Sequence, residues 1–224
     1  MKVAVAGMGL FGRSLAVNLA RAGADVIAID SRLEMVDDVK DEVALAVKLD
    51  ATDEKELRAQ GVHKVDVLVA AIGDDFEANQ LLVILAKKMG IKRVVARVPS
   101  QVHARILKLI GADEVIMPEV EAAQEAARRL VQPSLKKYFE LIEGFSVAEI
   151  EPRVEFIGRS LEELQLRQKH RVNLIAITRP GETPQEKPMI NAVPARTDVI
   201  ERGDILAIAG RDEDIAKLVG PPPA

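Results

Sequence analysis

From Lys2 onward, apolar runs of about five residues alternate with longer stretches in which apolar positions recur every three or four. That alternation is the pattern of βαβ units, whose parallel strands are buried on both faces and joined by crossover helices. The runs predict strands at 2–6, 26–30, 45–48, 65–71, 93–97 and 114–117. The stretches between predict helices near 11–22, 53–60, 76–89 and 102–110, with Ala22-Gly23-Ala24 and Met89-Gly90-Ile91 as glycine exits. A short acidic helix is expected over 31–38. Pro118 closes the sixth strand, and 119–131 repeats alanine at helical spacing (Ala122, Ala123, Ala126, Ala127). Such a small-residue face permits close packing on the domain or against a second subunit.

After Gln132-Pro133-Ser134 the alternation stops, and Pro152, Pro180, Pro184, Pro188 and Pro194 punctuate the chain. Short strands at 145–150, 172–178 and 204–209 and short helices at 161–166 and 213–218 are expected there. The expected organisation is a nucleotide-binding domain over 1–133 with a crossover helix at its end, a linker over 134–144, and a small α+β domain over 145–220. Pro221-Pro222-Pro223 reads as a frayed end. The fold class is therefore α/β: a Rossmann-like doubly wound parallel sheet with a smaller C-terminal α+β domain.

Composition narrows the function classes. With 48% hydrophobic and 29% charged residues among 224, the chain can build one substantial core and a smaller companion, which excludes disorder. A net charge of −4 offers no basic face for nucleic acid, and 3% aromatics without Trp disfavour base stacking. The lack of cysteine removes disulfide and thiol chemistry and suits a reducing compartment. Runs such as VDVLVAAIG are too short to cross a bilayer, and Met1-Lys2-Val3 enters a strand rather than a signal peptide. A cytoplasmic protein without direct membrane insertion is expected, so any membrane role comes through a partner.

Gly7-x-Gly9-x-x-Gly12 follows the first strand and opens the first helix, and Asp30 closes the second strand about twenty residues later. Each residue has a physical task in holding a dinucleotide. Gly7 permits the sharp turn, Gly9 lets backbone approach a diphosphate, and Gly12 lets helix sit close on strand. The helix N-terminus offers unpaired N–H groups and a positive dipole end to the phosphates. Asp30 accepts hydrogen bonds from the adenosine ribose and repels a 2′-phosphate, favouring NAD over NADP; it does not separate NAD from ATP or ADP. Leu49-Asp50-Ala51-Thr52 and Ala71-Ile72-Gly73-Asp74 leave the third and fourth strands toward the same crevice. Arg97 ends the fifth strand, where it serves either phosphate or adenine or a surface ion pair. Asn79 is expected to anchor the Asp74-Asp75 loop.

Hydride transfer also needs a group that moves a proton or polarises a carbonyl. His63, His103 and His170 have no carboxylate or second His at a supporting spacing and read as solvated; Tyr138 falls in the expected linker. No Ser-x-x-x-Tyr-x-x-x-Lys spacing, zinc cluster or nucleophile elbow appears. A non-enzymatic binding module is favoured over a small NAD-dependent oxidoreductase or a soluble NAD/NADH redox sensor.

Several motifs together carry a resemblance: Gly7-Met8-Gly9-Leu10-Phe11-Gly12, Asp30, Leu49-Asp50-Ala51-Thr52-Asp53, Ala96-Arg97-Val98 and Gly111-Ala112-Asp113-Glu114-Val115-Ile116-Met117-Pro118-Glu119, then Phe145-Ser146-Val147-Ala148-Glu149-Ile150 and Gly203-Asp204-Ile205-Leu206. The chain resembles, end to end, a regulator of potassium conductance (RCK) protein built of TrkA-N and TrkA-C halves, the regulatory subunit of Ktr/Trk-type potassium transporters. The resemblance implies a homo-oligomer, dimers assembled into an octameric ring beneath a membrane pore subunit, peripheral at the inner membrane, with NAD/NADH or ATP/ADP biasing its shape. It places the nucleotide on Gly7, Met8, Gly9, Leu10, Phe11, Gly12, Asp30, Ser31, Asp50, Ala51, Ile72, Gly73 and Arg97. It implies a divalent cation contact at Glu119, a residue the helix dipole also favours there. Arg167 and Asn173 match positions that bind cyclic di-AMP in some relatives; otherwise they are a strand-edge polar pair. One departure is Leu10, where relatives that distinguish ATP by its terminal phosphate carry Arg; Arg13 is close by.

Overall fold

In the computed structural model, which describes residues 1–181, 183 and 185–219, the six N-terminal runs are strands. They are β1 (Lys2–Ala6), β2 (Asp25–Asp30), β3 (Leu45–Lys48), β4 (Val67–Ala70), β5 (Arg93–Arg97) and β6 (Glu114–Ile116). All pair in parallel, in the order β3-β2-β1-β4-β5-β6, so the winding reverses between β1 and β4. At such a switch point a crevice opens beyond the carboxyl ends of the strands. The helices are α1 (Leu10–Arg21), α2 (Leu33–Asp37), α3 (Glu54–Ala59), α4 (Phe76–Lys88), α5 (Gln101–Leu109) and α6 (Pro118–Val131).

Alternation along β1 divides the burial between the faces of the sheet. Val3 and Val5 enter a cluster with Ala16 and Val17 of α1, whereas Ala4 and Ala6 enter one with Leu57, Leu82 and Leu107 of α3, α4 and α5. Each fully buried Leu or Val contributes about 1.5–3 kcal/mol, so both faces hold the strands whose ends carry the site.

The chain divides into two compact units, Met1–Ala122 and Ala123–Ala224, with the division inside α6, none of whose residues is buried. The second unit corrects the expected linker. Residues within 134–144 form β7 (Leu135–Ile142), which pairs antiparallel with β8 (Phe145–Ile150). LKKYFELI is an edge strand that buries only Leu135 and ties itself down by cross-strand ion pairs, Lys136–Glu151 at 2.7 Å and Lys137–Glu149 at 3.1 Å. Its apolar and polar residues do not alternate, so no strand pattern marks it in the sequence.

β9 (Asn173–Arg179), β10 (Met189–Asn191) and β11 (Ile205–Arg211) complete an antiparallel sheet in the order β10-β9-β11-β8-β7. The helix expected over 161–166 is broken by Gln165, whose φ of 49° is left-handed, into α7 (Leu161–Leu164) and α8 (Leu166–Lys169). Ser160 and Glu163 form a capping box at the start of α7. α9 (Asp212–Val219) closes the unit with Ile215 and Leu218 buried. The proline tail lies outside the described residues.

Candidate nucleotide-binding site

The chain leaves β1 into Gly7, whose φ of +97° only glycine adopts without strain and whose N–H donates to the Ile29 carbonyl at 2.8 Å. A Cβ there would stand 2.7 Å from the Ala71 carbonyl oxygen, and one on Gly12 would run into the Gly7 carbonyl oxygen. Gly9 differs: nothing lies within 4 Å of its missing Cβ. It is the N-cap of α1, no side chain caps that helix, and its first turn holds no acid. A backbone with open space before it, at an uncapped positive dipole end, suits a phosphate.

β2 delivers Asp30, 7% exposed, to the same edge. Its Oδ2 accepts from the Met8 N–H at 2.7 Å and its Oδ1 from the Arg32 N–H at 2.9 Å, with Arg32 Nε at 3.3 Å. The acid is thus fixed to the glycine turn. After β3, Asp50 Oδ1 accepts from the Thr52 N–H at 2.8 Å and hydroxyl at 2.7 Å, which holds the Asp50 carboxyl below its ordinary range. The Asp50 N–H donates to Glu56 Oε2 at 3.0 Å. Asp75 caps α4 by accepting from the Ala78 N–H at 2.8 Å. Buried Asn79 donates to the Arg97 carbonyl at 3.0 Å, so it anchors the end of β5 rather than the Asp74-Asp75 loop.

These loops enclose a cleft of about 730 Å³, within the roughly 300–1,000 Å³ usual for small-molecule sites. Of the expected contacts, Gly7, Gly9, Leu10, Asp30, Ser31, Asp50, Ala51, Ile72, Gly73 and Arg97 line it. Met8, Phe11 and Gly12 do not. The Met8 side chain is buried in the core, leaving only its N–H to act through Asp30; Gly12 is buried against Gly7; Phe11 packs on the core with the Arg97 guanidinium carbon 5.9 Å from its ring centroid. Arg97 pairs with Glu119 through Nη2 and Oε1, and the guanidinium holds the Glu119 carboxyl below its ordinary range. Arg13 turns to Asp38 at 3.0 Å instead of taking the place of an Arg at position 10, and Leu10 is 93% exposed. In the second unit, Arg167 and Asn173 line one cleft of about 510 Å³, together with Arg196 and Gln165.

Sequence reasoning missed Arg32 altogether, and it placed Thr52, Asp74 and Asp75 in exit loops without a role in the site; all four line the cleft. The available signal was local: a cation two residues after Asp30, a hydroxyl two after Asp50, and an aspartate before an apolar helix. None of the three histidines lines this cleft, and none is a freely solvated side chain. His63 Nδ1 is buried, His103 bonds Ser100 Oγ at 2.9 Å and packs tilted against Phe76, and burial against Phe156 lowers the pKa of His170. Among the described residues no group of three or more His, Asp or Glu side chains is placed to hold a metal ion, and no helix is long and apolar enough to cross a membrane.

Known proteins match this architecture along nearly its whole length. The TrkA-N domain family model matches residues 3–118 and the TrkA-C domain model residues 147–219. The Ktr system potassium uptake protein C of Bacillus subtilis (strain 168) is 31% identical over 96% of this chain and 94% of its own length. The Ktr system potassium uptake protein A of the same organism is 30% identical with the same coverage. A solved structure of the GsuK channel bound to NAD shares the fold, with a TM-score of 0.66 at 17% identity; the match covers 99% of this chain but only 40% of that one. With TrkA-N spanning more than half of its length and a Ktr relative matching nearly all of it, the chain belongs to the TrkA-N/TrkA-C family of Ktr-type potassium uptake proteins.

Proposed function

We propose that this chain is a cytoplasmic regulatory subunit that binds an adenosine nucleotide, NAD/NADH or ATP/ADP, in the switch-point cleft and gates a membrane potassium transporter through altered subunit geometry. The observation that carries the nucleotide assignment is the pairing of Gly9, open before an uncapped helix, with Asp30 fixed beside the same turn. The first suits a diphosphate and the second a ribose. The side chains that line the cleft are carboxylates, guanidinium groups, hydroxyls and aliphatic groups. They hold and orient a ligand, which favours a sensor over an oxidoreductase or a soluble redox sensor.

The Ktr relatives, potassium uptake proteins by name, support a potassium-transporting membrane partner. The proposal includes assembly as dimers within an octameric ring, peripheral at the inner membrane. A nucleotide that prefers one ring shape a hundredfold biases it by about 2.7 kcal/mol per site. Arg167 and Asn173, brought to one cleft, suit the phosphate and adenine edge of cyclic di-AMP. A divalent cation at Glu119 shares that carboxylate with Arg97 through its second oxygen or displaces the guanidinium.

Calorimetric titration of the full-length protein with ATP, ADP, NAD and NADH tests the assignment, with recovery of the nucleotide afterwards. One site per chain, intact recovered nucleotide and weakening of every ligand by about tenfold or more in Asp30→Asn are expected. Absence of binding, or NADH consumed catalytically with a small carbonyl compound, would contradict it.

A further inference from the structure

The ribose end of the cleft carries a charge pattern that Asp30 alone does not convey. A carboxylate offers about four lone-pair positions, and three N–H donors already face Asp30: those of Met8, of the Arg32 backbone and of Arg32 Nε. The first two are backbone groups of the glycine turn and of the bend after β2. The third is the longest, at 3.3 Å, and belongs to a side chain that is 53% exposed while the Asp30 side chain is 6% exposed. Only the guanidinium is therefore easily exchanged. Arg32 and exposed Ser31 both line the cleft, and Lys48 stands in register with Asp30 on the next strand. The position at which an acid at the end of β2 meets a ribose 2′ substituent is thus a paired charge rather than a bare anion.

Resting on the nucleotide assignment above, we propose that Arg32 is the specificity-determining residue of the ribose subsite, and that it opens the cleft to 2′-phosphorylated adenosine nucleotides as well as plain ones. With a plain nucleotide, a ribose hydroxyl takes the Oδ1 position that Nε gives up, and Asp30 keeps both backbone donors. With a 2′-phosphorylated nucleotide, the guanidinium turns to the phosphate, which it can bind through two parallel N–H groups while remaining beside Asp30. The repulsion expected from Asp30 is offset by a cation already within hydrogen-bond reach of it.

ADP-ribose and 2′-phospho-ADP-ribose, titrated into the full-length protein, isolate this subsite. Their dissociation constants are expected to lie within about tenfold of each other in the wild type, and Arg32→Gln is expected to shift the ratio toward ADP-ribose by about tenfold or more. Arg32→Lys should restore part of the ratio, and added salt should weaken the phosphorylated ligand more than the plain one in the wild type only. A thermal melt of each variant checks that it is folded. A larger wild-type preference for ADP-ribose, or a ratio unmoved by Arg32→Gln, would overturn the role of Arg32 while leaving the nucleotide assignment standing. Failure of both ligands to bind would overturn the two together.

Discussion

Gly9 and Gly12 are equivalent letters in one motif, yet their surroundings assign them different work. A methyl group on Gly12 meets backbone that cannot move aside, whereas one on Gly9 meets nothing, at a φ of −63° that any residue adopts. Gly12→Ala is therefore expected to lower stability by about 2 kcal/mol or more. Gly9→Ala should stay within roughly 0.5 kcal/mol of the wild type, while its affinity for ADP falls by about tenfold or more. Urea unfolding and calorimetry on both variants separate the two roles; equal effects on stability would contradict the assignment. The glycines and Asp30 were legible in the sequence because each answers a backbone or charge requirement fixed by one turn. Arg32 and Thr52 were not, because a contact spanning two residues in a loop has no periodicity. Met8 shows the limit of the motif: its side chain lies in the core, which leaves only its backbone at the glycine turn.

The parallel strands were readable because burial on both faces demands unbroken apolar runs. The edge strands of the antiparallel sheet, β7 and β10, were not. β7 is largely exposed, β10 has only three residues, and the break at Gln165 rests on one left-handed residue that no propensity marks. At the carboxyl edge, the loops after β3 and β6 share an electrostatic device. The Thr52 hydroxyl holds down the pKa of Asp50 and the Arg97 guanidinium that of Glu119. At the opposite edge, just before β6, the Val94 N–H, ahead of Lys87, does the same for Asp113. A carboxyl with a lowered folded pKa contributes stability in full above its unfolded value of about 4, and loses it as pH falls through the folded value. Acid should therefore destabilise the N-terminal unit progressively below about pH 4. Thr52→Val should move the Asp50 titration upward toward the ordinary carboxylate range, as read from side-chain NMR shifts. An unmoved Asp50 titration would show that the hydroxyl does not hold it.

At the scale of the whole molecule, two units with separate cores each carry a cleft, and one helix, α6, spans the division between them. The change from β/α alternation to short strands was legible in the sequence. The division inside α6 was not, since a helix of uniform character marks no boundary. Glu119, in the first turn of α6, is the group that pairs with cleft residue Arg97, so a phosphate that draws Arg97 into the cleft also acts on the start of that helix. The proposed regulation requires this local event to reach a membrane partner. The most direct test is potassium flux through vesicles that hold the transporter's membrane subunit together with the full-length chain, measured with and without ADP or NAD. Nucleotide should change the flux of the wild type several-fold, by about 1 kcal/mol of bias or more, and should leave Gly9→Ala vesicles unchanged. Flux indifferent to nucleotide, or an equal response in Gly9→Ala, would contradict the account.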